Sequence, residues 1–236
     1  MKRISRRNFL KVAGVSAAAL GLAACGGSKS GSTATSGSTA GSTAGGVNTA
    51  GFTVQYGSNP ETLDPALNSA IDGANTIITI FEPLLLINEN NEVVGGQAES
   101  WETSEDGLTW TFHLRKGVKF HDGEEMDSAD VLASIKTAMN PDSPSAFSGY
   151  TSTFSKVEAP DAYTITITTE TPNPLMLFHV AQIYVLKQEN VEGKTEEEIS
   201  DVVVGTGRYK FVEQVKEDHL DLTANEDYWG EVPEIK

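Results

Sequence analysis

Residues 99–139 read ESWETSEDGLTWTFHLRKGVKFHDGEEMDSADVLASIKTAM, and this stretch decides the fold. Thr109-Trp110-Thr111-Phe112-His113-Leu114 alternates, which puts Trp110, Phe112 and Leu114 on one face of a strand. Glu105-Asp106-Gly107 ahead of it supplies a turn, with Gly107 free to take a positive φ. Lys116-Gly117 breaks the alternation, Val118-Lys119-Phe120 resumes it, and His121-Asp122-Gly123 turns the chain again. Asp127 or Ser128 then caps a helix whose first turn holds Asp130, where the helix dipole favours an acid. Val131, Ile135 and Met139 recur every fourth residue and mark its buried face. These are scaffold signals, and none is a catalytic constellation.

The order of these signals, Trp101 followed by DGLTWTFHLRKGVKFHDG (106–123) and SADV (128–131), is similar to the signature region of family 5 extracellular solute-binding proteins. Those are receptors of ABC importers for dipeptides, oligopeptides and nickel. Further stretches agree. Phe81-Glu82-Pro83-Leu84 looks like the family's F-E-x-L, and 95–101 (GGQAESW) resembles its P-x-L-A-x-x-W, with Gly and Gln where Pro and Leu are usual. Val204-Gly205-Thr206-Gly207-Arg208-Tyr209 resembles V-G-T-G-P-Y with Arg208 in place of the proline, and 222–229 (LTANEDYW) is similar to L-x-x-N-x-x-Y-W.

The resemblance implies an α/β fold of the type II periplasmic-binding-protein kind, a mixed sheet flanked by helices. It divides the folded part into 51–85, the first part of lobe I; 86–172, an inserted small subdomain; and 173–236, a return to lobe I. Relatives of this kind continue for as many residues again or more, so a truncated copy lacking the second lobe is expected, with about one wall of the cleft present.

The beginning of the chain is of another character. MKRISRRNFLKVAGVSAAALGLAAC (1–25) has a basic start and an apolar run, Val12 to Ala24, too short for a spanning helix; it reads as a signal peptide. Ser5-Arg6-Arg7-Asn8-Phe9-Leu10-Lys11 looks like the twin-arginine export motif, although an ordinary secretory start has the same charge. Leu22-Ala23-Ala24-Cys25 looks like a lipobox, in which Cys25 becomes the lipidated first residue, against the plainer reading of a bystander thiol. Residues 26–50 are mostly Gly, Ser, Thr and Ala and read as a flexible linker that no core can include. Lipid at Cys25 would hold the protein on the outer face of the cytoplasmic membrane.

Charge and cysteine content narrow the function further. The chain is formally −16, with 17 Lys and Arg against 33 Asp and Glu; five of the basic residues, Lys2, Arg3, Arg6, Arg7 and Lys11, sit in the leader, leaving twelve. So acidic a remainder has no basic surface for phosphates, which excludes nucleic acid as a partner. One cysteine excludes an internal disulfide framework. His113, His121, His179 and His219 include no helical metal pair, so no metal or cofactor is expected. No G-x-S-x-G elbow or nameable carboxylate pair appears. The G-x-G at 205–207 lacks the third glycine of a dinucleotide loop and precedes a strand.

Along the remainder, Phe52 to Tyr56 alternates as a first strand. Pro60-Glu61-Thr62-Leu63-Asp64-Pro65 turns after it, with Asp64 read as a local hydrogen-bond acceptor. Thr76 to Leu86 reads as an apolar helix ended or kinked by Pro83. In peptide-binding relatives the loop before this helix lines the cleft and offers backbone groups to the ligand. That places Ser69, Ala70, Ile71 and Asp72 nearest a ligand by position alone, where N–H and C=O groups pair with any peptide. Tyr150 and Phe154 face either a cleft or the core, and Trp101 is a core anchor. Tyr163 to Thr168 alternates as a strand, Leu175 to Ala181 forms a helix, Ile183 to Leu186 a buried strand, and Glu196-Glu197-Glu198 a solvated helical face.

The function implied is a non-enzymatic substrate-binding receptor. It captures a short peptide or similar solute outside the membrane and passes it to ABC permease subunits. A lipid-anchored surface sensor or adhesion protein is the alternative, and an enzyme a more distant one.

Overall fold

The computed structural model describes residues 53–55, 60, 62–68, 71–142, 145–216 and 218–235, without the side chains of Ile71, Asp72 and Glu196. Its helices are α1 (Ile71–Ile80), α2 (Ser128–Met139), α3 (Ser148–Thr151), α4 (Met176–Val180), α5 (Gln188–Val191) and α6 (Glu196–Ser200). Its strands are β1 (Leu85–Ile87), β2 (Val93–Gly95), β3 (Ala98–Thr103), β4 (Thr109–Leu114), β5 (Phe154–Asp161), β6 (Thr164–Thr169), β7 (Tyr209–Val215) and β8 (His219–Ala224). The α/β class expected from the sequence holds. Every ladder among the described residues is antiparallel: a four-stranded sheet ordered β3-β4-β6-β5 and two hairpins, β1–β2 and β7–β8.

The quoted stretch builds the centre of the sheet. β3 and β4 join through a turn in which Ser104 Oγ donates to Asp106 Oδ1 (2.6 Å) and the Leu108 N–H to the same oxygen (3.0 Å). Gly107 there has φ +70°. Phe112 stands opposite Ile165 and Trp110 opposite Ile167 across the β4–β6 ladder. Phe112, Leu114, Ile165 and Ile167 are buried, while Trp110 is half-buried at the margin. Val118 and Phe120 are buried as their alternation demands, but they belong to a loop closed by the Lys119–Glu125 bridge rather than to a strand.

α2 lies across β5 and β6 with Val131, Ile135 and Ala138 turned inward. Its start is a capping box. The Asp127 side chain accepts from the Ala129 N–H (2.7 Å), and Asp130 Oδ2 accepts from the Asp127 N–H (2.9 Å). Asp130 Oδ1 also accepts from the Gln188 N–H (2.8 Å), so one carboxylate serves two helix starts.

Residues 53–55 are exposed and without a ladder among the described residues, while Phe52 and Tyr56, the ends of the expected strand, lie outside them. Three local expectations change. The first helix runs 71–80 rather than 76–86. Pro83 keeps the chain extended beyond it, and Leu85–Ile87 pairs with β2. Residues 183–186 are largely buried but, among the described residues, form one bridge only, Tyr184 to Pro83. β5 is a strand the sequence did not announce. Asn88 closes the β1–β2 hairpin with its side chain, accepting from the Asn90 and Glu92 N–H groups (2.9 Å each). No helix among the described residues is long and apolar enough to cross a membrane.

Candidate functional site

Of the four residues that position assigns to a ligand, Ser69 and Ala70 lie outside the described residues, as does the lipidation candidate Cys25. Ile71 and Asp72 are the first two residues of α1. At any helix start four backbone N–H groups have no intrahelical acceptor, and a cap, water or a ligand supplies one. The turn leading to it is fixed by Asp64, which is buried: its Oδ1 accepts from the Ala66 N–H (2.8 Å), and its own N–H donates to Thr62 Oγ1 (3.0 Å). Asp64 therefore works as a structural acceptor. Ala66 O accepts from the Ala146 N–H (2.6 Å), tying the turn to the α2–α3 link.

The other end of α1 is held by the G-T-G segment. The Gly207 N–H donates to Ile80 O (2.8 Å), satisfying one of the orphan carbonyls at the helix end. A Cβ at Gly205 would overlap the Ile80 carbonyl oxygen, and one at Gly207 would lie 2.5 Å from Thr79 O, so only glycine allows this approach. The segment is a helix clasp and not a phosphate cradle. His121 braces it from the far side. Its Nδ1 accepts from the Gly205 N–H (3.4 Å) and its Nε2 donates to Gly207 O (3.0 Å). That pairing requires the neutral Nε2–H tautomer, and burial pushes the His121 pKa down in the same sense.

Beneath the clasp lies a buried polar junction. Gln97 donates through Nε2 to Glu82 O (3.1 Å) and Thr206 Oγ1 (2.5 Å). The Glu82 carboxylate accepts from Tyr228 OH (2.5 Å) and Trp229 Nε1 (2.8 Å). Burial raises the Glu82 pKa, outweighing both hydrogen bonds and the attraction of Arg208. The Arg115 guanidinium sits 4.7 Å from the Trp229 ring centroid and that of Arg208 5.4 Å from Tyr228, so each ring carries a cation on its face. Asn225 Nδ2 donates to Gly207 O (3.0 Å) and completes the enclosure.

A second charged hub ties the 121–125 turn to α5. Lys187 is buried, with Nζ at 2.8 Å from Asp122, 2.8 Å from Glu124 and 2.7 Å from Glu189. Burial alone lowers an ammonium pKa; three carboxylates outweigh it here and raise it, so Lys187 stays charged. Tyr184, packed against Phe147, has its phenol pushed up to about 12 by burial. An open groove of about 990 Å³ separates α2 from the α5–α6 segment, lined by Leu132, Ala133, Val191 and Ile199 with Lys136 and Lys194 at its edges. Phe154 is buried in the core and Tyr150 packs against it and against His179, which is the packing role for both aromatics.

The profile of bacterial extracellular solute-binding proteins, family 5 (middle region), matches residues 92–236. The chain belongs to this family. Residues 3–23 also match the twin-arginine translocation signal sequence, a signal for export. Among related family 5 proteins, one from Brucella ovis, provisionally named an ABC transporter peptide-binding protein, is 33% identical over 192 residues, 78% of this chain and 36% of that one. The periplasmic binding protein DppA of Helicobacter pylori, solved with the peptide STSA, superposes with a TM-score of 0.68 at 28% identity, over 76% of this chain and 40% of its own. NikZ of Campylobacter jejuni, solved with Ni(L-His), gives a TM-score of 0.68 at 28% identity, over 74% and 35%. The chain spans about a third of the length of the curated relatives it matches. In family 5 terms the clasp and junction join the F-E, G-T-G and Y-W stretches into one buried assembly. Each stretch is recognisable in the sequence, but nothing in the sequence says that they meet.

Proposed function

We propose that this chain supplies one wall of a substrate-binding receptor of an ABC importer. Exported as a twin-arginine substrate and anchored by lipid on Cys25, it captures a short peptide or similar small solute outside the membrane and delivers it to permease subunits. No covalent chemistry is asked of it. Closure of two walls on the solute selects the state that the permease engages. The observation that carries this is the family 5 match on a fold shared with a receptor solved holding a peptide. In this scheme 51–85 and 173–236 belong to one lobe and 86–172 to an inserted subdomain.

Ser69, Ala70, Ile71 and Asp72 contact the solute through backbone groups at the start of α1, a helix immobilised at its other end by the Gly205–Gly207 clasp. Backbone readout fits a receptor that accepts many peptide sequences. Uptake of labelled di- and oligopeptides by a deletion strain, complemented with the gene, tests import; unchanged uptake in the deletion strain would defeat it. Site-level binding is tested by calorimetry on variants of the complemented protein. Ser69→Ala and Asp72→Ala should change peptide affinity less than tenfold. Asp72→Pro, which removes an N–H in a helix turn that tolerates proline, should abolish binding. A second reading has an observation of its own: the neighbour holding Ni(L-His) makes a metal chelate the alternative solute, and the same calorimetry with nickel and histidine separates the two.

A further inference from the structure

The β7–β8 hairpin brings together donor atoms that are scattered in sequence. Glu213, His219 and Asp221 each present one ligand atom, and the three lie within 4.8 Å of one another. Register accounts for the convergence. Glu213 pairs directly with Asp221, after a shift in register between Phe211 and Glu213. Without that bulge Val212 would face Asp221, and Glu213 would point to the other side of the ribbon, because faces alternate with period two. His219 precedes Asp221 by two residues and shares its face.

The imidazole is oriented as a ligand would be. Nδ1 lies 3.1 Å from Asp218 Oδ2, which leaves Nε2 turned toward Glu213 Oε1 at 3.9 Å and Asp221 Oδ2 at 4.0 Å. One ring nitrogen fixed by a carboxylate and the other directed at further donors is the usual arrangement of a metal-bound histidine. Two carboxylates directly opposite one another repel. Among the described residues, the ion pairs of Glu213 and Asp221 are with His219 alone, so a protonated imidazole or a bound cation is what relieves that repulsion.

We infer that Glu213, His219 and Asp221 form a surface site for a first-row divalent cation of the zinc class. One imidazole nitrogen and two carboxylate oxygens suit zinc or nickel, whereas calcium and magnesium take oxygen donors. Donors bonded to zinc stand roughly 3.3 Å apart in a tetrahedron, so the exposed side chains need close by about 0.6–0.7 Å on the imidazole nitrogen and by up to about 1.5 Å between the carboxylates. Three protein ligands leave a position for water or for a donor from another molecule. The site joins the two strands of the ribbon across their bulge. Helical histidine spacing does not reveal it, because Glu213 comes from β7 and His219 and Asp221 from β8. It does not rest on the solute-binding reading.

The test is calorimetric titration of the full chain with Zn²⁺, with Ni²⁺ and Mg²⁺ in parallel, on the wild type, His219→Ala and Glu213→Gln/Asp221→Asn. The expected result is one zinc equivalent whose affinity falls at least tenfold in both variants, with no competition from excess Mg²⁺. Long-range ¹H–¹⁵N NMR of the wild type should show the His219 Nε2 resonance moving on zinc addition, and that arm needs no variant to fold. Zinc affinity unchanged in His219→Ala, an unmoved Nε2 resonance, or displacement of zinc by Mg²⁺ would each overturn the site and leave an acidic surface with a histidine in it.

Discussion

Phe112 finds Ile165 on the adjacent strand of an apolar sheet, whereas the Glu82 carboxylate finds Tyr228 and Trp229, 146 and 147 residues along the chain. The sheet is a set of near-interchangeable apolar contacts, each worth more the better it is packed. The junction is a set of directional bonds, in which removing one partner leaves another buried and unsatisfied. The first kind sets how stable the fold is. The second sets the placement of α1, whose opposite end carries the proposed solute contacts, and so sets geometry more than total stability. Substitutions in the two regions should therefore differ in what they damage as well as in how much.

The largest loss is expected from the sheet. Phe112→Ala empties a fully buried ring site and should cost about 3–5 kcal/mol in urea denaturation. A loss below about 1 kcal/mol would mean that this face of β4 is not the centre of the core. Next comes the clasp. Gly205→Ala forces a methyl group against the Ile80 carbonyl, a backbone atom that cannot rotate away, and should cost about 1–3 kcal/mol or somewhat more. Unlike Phe112→Ala, it should also raise amide exchange along α1 out of proportion to the global loss.

Tyr228→Phe removes one hydroxyl of the junction, which donates to Glu82 Oε1 and also meets the Arg208 side chain. A hydrogen bond to a charged group contributes about 1.5–3 kcal/mol, and that range is the expected loss at neutral pH. Acid dependence sharpens the point. The folded-state pKa of Glu82 is raised by burial, so its contribution is fully present below the ordinary glutamate range and is lost as pH rises through the elevated value. Glu82→Gln lacks that titration. Its stability relative to the wild type should improve as pH increases across the weakly acidic range, in parallel denaturation series. A relative stability that worsens with pH would show that the hydrogen bonds, and not burial, dominate Glu82.

The same contrast explains what the sequence could disclose. Trp110, Phe112 and Leu114 announce a strand because burial on one face imposes a two-residue period on neighbours. Asp127 and Asp130 announce a helix start because capping is local. The run Leu84-Leu85-Leu86 is apolar without a period, so helix and strand look alike there, and only Pro83 with the β2 partner decides for strand. β5 was silent because Ser155-Lys156-Val157-Glu158 shows a single apolar side chain on an edge strand with one face to solvent. The junction is written in residues that meet only after folding: no pattern within Phe81-Glu82 or Tyr228-Trp229 says that they touch. For the proposed solute contacts, the resemblance supplied a place in the chain, and the structure adds that Ile71 and Asp72 open a helix.

The smallest effect should come from the two capping boxes, which are alike in chemistry and differ in what they support. Asp127 caps α2, twelve residues long, with its inward face in the main core. Thr195 caps α6, five residues long, through an exposed Glu198. Asp127→Ala removes the acceptor for the Ala129 N–H and should cost about 1 kcal/mol, because α2 cannot fray at that end without uncovering Val131. Thr195→Ala should leave the global unfolding transition where it is and speed amide exchange within α6 alone, since a helix of one turn opens locally and takes little of the core with it. If Thr195→Ala shifts the global midpoint as far as Asp127→Ala does, α6 is cooperative with the sheet. The division between a core that sets stability and outlying segments that set geometry would then fail at its weakest element.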